Sequence, residues 1–318
     1  MSLLLDNSKL SPFIFARSIL SKLSNKDLLL ALIVIIVWGL NFVVIKVGVA
    51  DVPPFLLAGL RFLFVVFPLA FFLKAPKIPL KIYLLYGLAI SFGQFSFLFT
   101  AIASGMPSGL ASLVLQSQAF FTLIFSAFLL NESWHKFQLM GLGLGAAGLI
   151  LIGSSHGVSM PLLGFLLTIC ASVLWALGNI VSRQLAKYPN TDLFAFVVWA
   201  GFIPTLMFFA SSFLIDGPAK ITQVITHLNW LTVGSILYLA WAATLFGYGV
   251  WTSLMSRYPA NKIAPFTLLV PVVGLLSGFI IFNETLQTIH FVGCAILMIG
   301  LITNVFGPSI WLWLKSRF

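Results

Sequence analysis

The chain has 318 residues, 60% of them hydrophobic and 8% charged, with a mean hydropathy of +1.11. Soluble domains carry about 25% charged residues, so a water-soluble fold is excluded and a polytopic membrane protein is expected. Lys and Arg outnumber Asp and Glu by 17 to 7. They stand in ones to threes between apolar segments, which marks membrane topology rather than a nucleic-acid surface.

Residues 1–26 mix the apolar runs Leu3–Leu5 and Phe13–Phe15 with Asp6, Lys9, Pro12, Arg17 and Lys22. No small-residue cleavage site follows a compact apolar core, so a cytosolic, amphipathic arm is expected rather than a signal peptide. Ten segments then come near the roughly 20 apolar residues needed to cross a bilayer. Their cores are 28–48, 54–73, 82–104, 108–130, 136–153, 161–182, 193–215, 229–254, 263–282 and 286–306. Turn signals separate them, among them Asp51-Val-Pro-Pro, Gly105-Met-Pro and Tyr258-Pro-Ala. With the N-terminus placed in the cytosol, fourteen basic residues fall inside: Lys9, Arg17, Lys22, Lys26, Lys74, Lys77, Lys81, Lys136, Arg183, Lys187, Arg257, Lys262, Lys315 and Arg317. Only Lys220 falls in an outside loop. Both termini, including the tail 308–318, are therefore expected in the cytosol.

Polar residues inside membrane helices are costly unless they face a cavity or another helix. The first helix sets Trp38 and Asn41 three apart, and the third sets Ser91 and Gln94 three apart. The fourth carries Ser108, Ser112 and Gln116 in one row and Gln118, Thr122 and Ser126 in another. The sixth places Trp175 and Asn179 four apart, and the eighth carries Trp241, Thr244, Tyr248 and Trp251. The Ser and Thr rows read as packing contacts between helices. Amides have more valences to satisfy, so Asn41, Gln94, Gln116, Gln118 and Asn179 point to a central cavity, joined by Trp38, Trp175, Trp241 and Tyr248. Arg61 lies seven residues into the second helix. Three roles fit it: a snorkelling side chain, a structural pair with a helix end or an acid such as Asp51, or a ligand for a substrate carboxylate. Lys46 ends the first helix and reads as a marker of the outer interface. Pro271 in the ninth helix is a hinge candidate. Cys170 and Cys294 lie deep in apolar segments as small packing residues, without metal-ligand spacing.

Asn131-Glu132-Ser133 recurs as Asn283-Glu284-Thr285, an offset of 152 residues. Ungapped extension matches Pro107 with Pro259, Gly141 with Gly293 and Gly148 with Gly300. "WGLN" (38–41) also rhymes with "WALGN" (175–179). The chain thus reads as two copies of five helices, 27–154 and 161–307. Five is odd, so the second copy enters the membrane inverted, as in alternating-access transporters. Asn131 and Asn283 are read as N-caps of the fifth and tenth helices, with Glu132 and Glu284 in their first turns. The alternative is a gate carboxylate at each mouth.

"VWGLNFVVIKVG" (37–48), "PPFLLAGLRF" (53–62), "GMPSGLASLVLQSQAFFT" (105–122) and "VPVVGLLSG" (270–278) resemble the EamA branch of the drug/metabolite transporter superfamily. The resemblance spans about residues 27–307. It implies an all-α integral membrane protein of two inverted five-helix repeats in the bacterial inner membrane. It also implies export of small metabolites, amino acids or derivatives such as cysteine and O-acetylserine. Trp38, Gly39, Asn41, Lys46 and Arg61 keep the family pattern. The second half departs from it: Arg183 stands where a lysine is usual, and the seventh helix has no arginine.

None of the seven acids is mid-helix, and the four histidines lie in or beside loops, so facilitated diffusion or exchange is expected rather than proton coupling. An intramembrane enzyme is disfavoured because no His-Glu-x-x-His, Gly-x-Ser-x-Gly or paired aspartates occur. No cofactor, metal or nucleic acid is expected; the partners are a small-molecule substrate and the lipid bilayer, with the chain a monomer or homodimer. A receptor without transport leaves the inverted duplication unexplained. Import of a metabolite such as S-adenosylmethionine, or drug efflux, is the alternative transport reading.

Overall fold

The computed structural model describes residues 24–155, 160–258 and 260–315. Most of the expected N-terminal arm and the last three residues lie outside these. Among the described residues ten helices are long and apolar enough to cross a membrane. They are α1 (Asn25–Asp51), α2 (Pro54–Phe71), α3 (Leu80–Ala103), α4 (Ser108–Leu130), α5 (Lys136–Ser154), α6 (Leu162–Lys187), α7 (Leu193–Ile215), α8 (Trp230–Arg257), α9 (Ala264–Phe282) and α10 (Thr288–Gly307). Each coincides with one predicted segment. A helical turn, Ala260–Ile263, leads into α9, and the helix of α10 runs on to Lys315, through most of the expected tail.

Boundaries follow local chemistry. Ser24 caps α1, its Oγ accepting from the Asp27 amide at 3.1 Å. Asp192 and Asn229 do the same for α7 and α8. The α-helical part of α2 stops at Val66, two residues before Pro68. α4 and α9 each end in an asparagine of left-handed conformation, Asn131 at φ 55° and Asn283 at φ 51°. Their amides bond back to the carbonyls of Ser126 and Gly278. This corrects the N-cap reading: both asparagines close the preceding helix, a role Asn fills because it tolerates positive φ. α5 starts five residues beyond Asn131. His135 is its N-cap, and the Gln138 side chain receives the His135 amide at 2.9 Å. Glu132 and Glu284 therefore sit in the links, not in first helical turns.

The two halves share irregularities. α3 is π-helical over Gly87–Gly93 and α8 over Tyr238–Phe246, at matching places in each half. α4 tightens to a 3-10 turn at Leu115–Ser117, and α9 over Ala264–Leu269. Such breaks loosen the backbone ladder and recur at functional positions.

Packing relies on small residues, because lipid removes most of the hydrophobic drive between helices. α5 lies against α10 through glycines. A Cβ on Gly141 would stand 2.7 Å from the Gly300 carbonyl oxygen, and one on Gly148 would stand 2.8 Å from that of Gly293. α4 meets α9 where Gly274 faces Ser112, and α4 meets α6 through Ser117 Oγ donating to Ser172 Oγ at 2.8 Å. Phe62, Phe95 and Phe208 interlock α2, α3 and α7. Helices of both halves also enclose a space between them.

Candidate functional site

That space is a cavity of about 350 Å³ bounded by α1, α2, α3, α4, α6, α8 and α9. Small-molecule pockets begin near about 300 Å³, so it suits one small solute. Trp38, Asn41, Arg61, Gln94 and Gln116 line it. So do Gln118, Trp175, Asn179 and Tyr248.

Trp241 does not. It is 48% exposed and its Nε1 donates to the Phe64 carbonyl at 3.2 Å. The row Trp241, Thr244, Tyr248, Trp251 assumed a regular α-helical pitch. The π-helical stretch of α8 rotates Trp241 onto the outer face, while Tyr248 and Trp251, beyond it, keep to the cavity. Tyr86 also lines the cavity and was not foreseen. It stands one residue before the π-helical stretch of α3, and only its phenol in an apolar segment gave a signal.

The irregular backbone organises the wall. Trp38 Nε1 donates to the Ala243 carbonyl in the π-helical part of α8 at 2.9 Å. The Trp38 ring lies 5.7 Å from that of Tyr248 and 5.2 Å from that of Trp251. Pro271 lacks an amide and stands at the second residue of the α-helical part of α9, just past the 3-10 segment. The carbonyl it leaves short of an α-helical donor is that of Thr267, four residues back. Gln116 Nε2 reaches this oxygen at 3.3 Å. On the far side Asn179 Nδ2 donates to Gln118 Oε1 at 2.7 Å and to Thr122 Oγ1 at 3.1 Å.

Arg61 is 3% exposed and does not snorkel. Asp51 is not its partner either: that carboxylate accepts from Asn229 Nδ2 and Thr232 Oγ1. Instead Arg61 Nε and Nη2 share Thr244 Oγ1, at 3.2 and 2.9 Å. Its guanidinium carbon lies 4.1 Å from the Phe95 ring centroid. Among the described residues neither Arg61 Nη1 nor Asn41 Oδ1 has a hydrogen-bond partner. A buried unsatisfied group costs about 1–3 kcal/mol, and a charged one more. Among the described residues no Asp or Glu lines the cavity, so Arg61 is its one formal charge.

Glu284 and Glu132 lie at opposite ends of the bundle. Glu284 Oε1 meets Lys46 Nζ at 2.7 Å and accepts from the amide and hydroxyl of Ser108, each at 2.8 Å. Its Oε2 accepts from the Gly109 amide at 3.0 Å. The carboxylate thus caps α4, from the other half, rather than α10. Burial pushes its pKa up, but Lys46 and the Ser108 and Gly109 donors outweigh that and hold it below the usual value. Lys46 is accordingly more than an interface marker. Glu132 pairs with Arg183 Nη1 at 2.6 Å, and this hydrogen bond leads in holding its carboxyl low. The described histidines lie at helix ends: His135 caps α5, His227 follows the short helix Gly217–Thr226, and His290 stands in the first turn of α10, facing the Ser155 carbonyl; His156 lies outside the described residues.

A many-helix bundle around a cavity lined by polar and aromatic side chains, with ion pairs at both ends, is the build of a membrane transporter. The model of the EamA-like transporter family matches the chain twice, over residues 25–154 and 162–306, and the chain belongs to that family. A protein of Salmonella typhimurium named "Probable amino-acid metabolite efflux pump" is 49% identical over 288 residues, covering 90% of this chain and 96% of its own length. An Escherichia coli protein of the same name is 46% identical with the same coverage. A solved crystal structure with 19% identity superposes with a TM-score of 0.60 over 87% of this chain and 95% of its own, a likeness of fold. With its ten apolar helices, this chain is a multi-pass inner-membrane protein.

Proposed function

We propose that this protein exports amino acids or their derivatives, such as cysteine and O-acetylserine, by alternating access across the inner membrane. The observation that carries the reading is the cavity. It is bounded by helices of both halves, amide, phenol and indole groups stand among its apolar walls, and its single charge among the described residues is a buried cation. A small solute with a carboxylate and a modest apolar body complements that lining. The relatives named for amino-acid metabolite efflux support the same substrate class. The paired ends, each with a Glu bridged to a basic residue of the other half, suit a carrier whose halves exchange roles. With five spans per half, the second copy runs inverted and both termini lie in the cytosol.

Counterflow in proteoliposomes tests this. Vesicles preloaded with unlabelled cysteine or O-acetylserine are expected to accumulate the labelled solute transiently and saturably. Folded protein that exchanges neither these nor any other amino acid would refute the proposal.

A further inference from the structure

Two cavity-lining residues each keep one buried polar atom unspent, and the two atoms differ in kind. Arg61 Nη1 is a donor on a permanent cation; Asn41 Oδ1 is a neutral acceptor. Their residues are 3% and 8% exposed. The rest of the guanidinium is committed to Thr244 and to the Phe95 ring. We propose that these atoms form the headgroup subsite: the substrate's carboxylate takes Arg61 Nη1, and the donor on its α-carbon takes Asn41 Oδ1. This rests on the amino-acid exporter reading and sharpens it.

The subsite reads charge on one side only. The carboxylate neutralises the one buried cation, so a substrate without it leaves Arg61 uncompensated. The α-substituent meets an amide oxygen, which accepts from an ammonium, a hydroxyl or a secondary amide N–H alike. Among the described residues no acid in the lining demands a positive charge there. The substrate class is therefore the small monocarboxylate with a hydrogen-bond donor at the α-position. α-Hydroxy acids and N-acylated amino acids belong to it; esters and decarboxylated amines do not.

A series built on one side chain tests this in the wild-type protein. Cysteine, 3-mercaptolactate, N-acetylcysteine, cysteine methyl ester and cysteamine compete, all reduced, against labelled cysteine in counterflow. The first three are expected to compete within about tenfold of one another, and the ester and amine at least about tenfold more weakly. Asn41→Ala is expected to weaken cysteine and 3-mercaptolactate but not 3-mercaptopropionate, which lacks the α-donor. An ester as potent as cysteine, or equal losses for all three acids in Asn41→Ala, would overturn the subsite while leaving the exporter standing. Folded protein that exchanges neither cysteine nor any other amino acid would overturn both.

A second inference comes from the ends of the bundle. Lys46 and Arg183 each stand eight residues after Trp38 and Trp175, and Glu132 and Glu284 are the repeated acids. The pairs Lys46–Glu284 and Arg183–Glu132 are thus the same contact made twice, each crossing from one half to the other. They differ in burial: the Glu284 side chain is 9% exposed and that of Glu132 is 51%. We infer that they are alternating locks, with the Glu284 lock shut in this conformation and the Glu132 pair buried in the reciprocal one. A single cysteine placed beside Lys46, in a protein freed of Cys170 and Cys294, reports closure through an impermeant thiol reagent. Glu284→Gln is expected to speed labelling at least about tenfold by removing the charge-assisted bonds, and Glu132→Gln is not. Ser108→Ala, a milder change at the same lock, is expected to act in the same direction. Equal labelling in all these variants would refute the lock.

Discussion

Replacing Arg61 with methionine is expected to make the protein more stable while abolishing transport. The guanidinium is buried and meets no carboxylate among the described residues. Its Nε and Nη2 share one acceptor, Thr244 Oγ1. Together they gain little more than one charge-assisted bond, about 1.5–3 kcal/mol. The Phe95 ring adds about 2 kcal/mol. Against this stands desolvation of a cation, several kcal/mol even after relaxation, with a further 1–3 kcal/mol or so for the unmet Nη1. The balance favours an apolar isostere by about 1–4 kcal/mol. Methionine has a similar reach, and its sulfur packs well on the Phe62 and Phe95 rings. Thr244 keeps a partner, since its hydroxyl already donates to the Leu239 carbonyl at 2.8 Å. Thermal unfolding of purified protein in a single detergent, without substrate, reads the difference. A midpoint above wild type with exchange lost would mark Arg61 as retained for function at a cost in stability. A midpoint well below wild type would refute the argument and make Arg61 a structural strut.

Three further outcomes are expected. Gly148→Leu should collapse the monodisperse peak in size-exclusion chromatography, because its Cβ meets the Leu297 amide at 2.7 Å; Gly143→Leu, with nothing within 4 Å, should leave it unchanged. Asn131→Gly should preserve thermal stability, whereas Asn131→Val should lower it by about 1–2 kcal/mol or more, because a β-branched residue resists positive φ. For pH, Glu284 has a lowered pKa, so its contribution is complete above the usual value of 4.5 and is lost only as pH falls through the lowered one. Labelling beside Lys46, taken as a ratio to that of a fully exposed cysteine at the same pH because the thiolate fraction itself falls with pH, should therefore stay flat from neutrality down to about pH 4.5 and rise only in stronger acid.

The ten spans were legible because each is a long apolar run bounded by Pro, Gly or charge, and the bilayer demands such runs. The cavity was largely legible too, since amides and mid-helix indoles have few other places to be satisfied. Three things were not. Asparagine serves at either end of a helix, and nothing local told Asn131 and Asn283 which end they closed. Trp241 was misplaced because a π-helical insertion shifts the side-chain phase without changing any residue. Glu284 meets Lys46 across 238 residues. The shared spacing from Trp38 and Trp175 to Lys46 and Arg183 was the available hint, and it shows its meaning only when the halves face each other.

The glycine seam between α5 and α10 has a consequence for ancestry. Gly141 and Gly293 are repeat counterparts, as are Gly148 and Gly300. Gly141 touches Gly300 and Gly148 touches Gly293, so each partner occupies the other's role. This is the rule of a two-fold dimer, in which residue i meets j and j meets i. The ion pairs at the two ends obey it as well. A single five-helix chain, inserted in both orientations, would make these same contacts with a second copy of itself. The peptide between Ser155 and Met160 then joins two partners already matched, and the halves expressed as separate chains are expected to find each other.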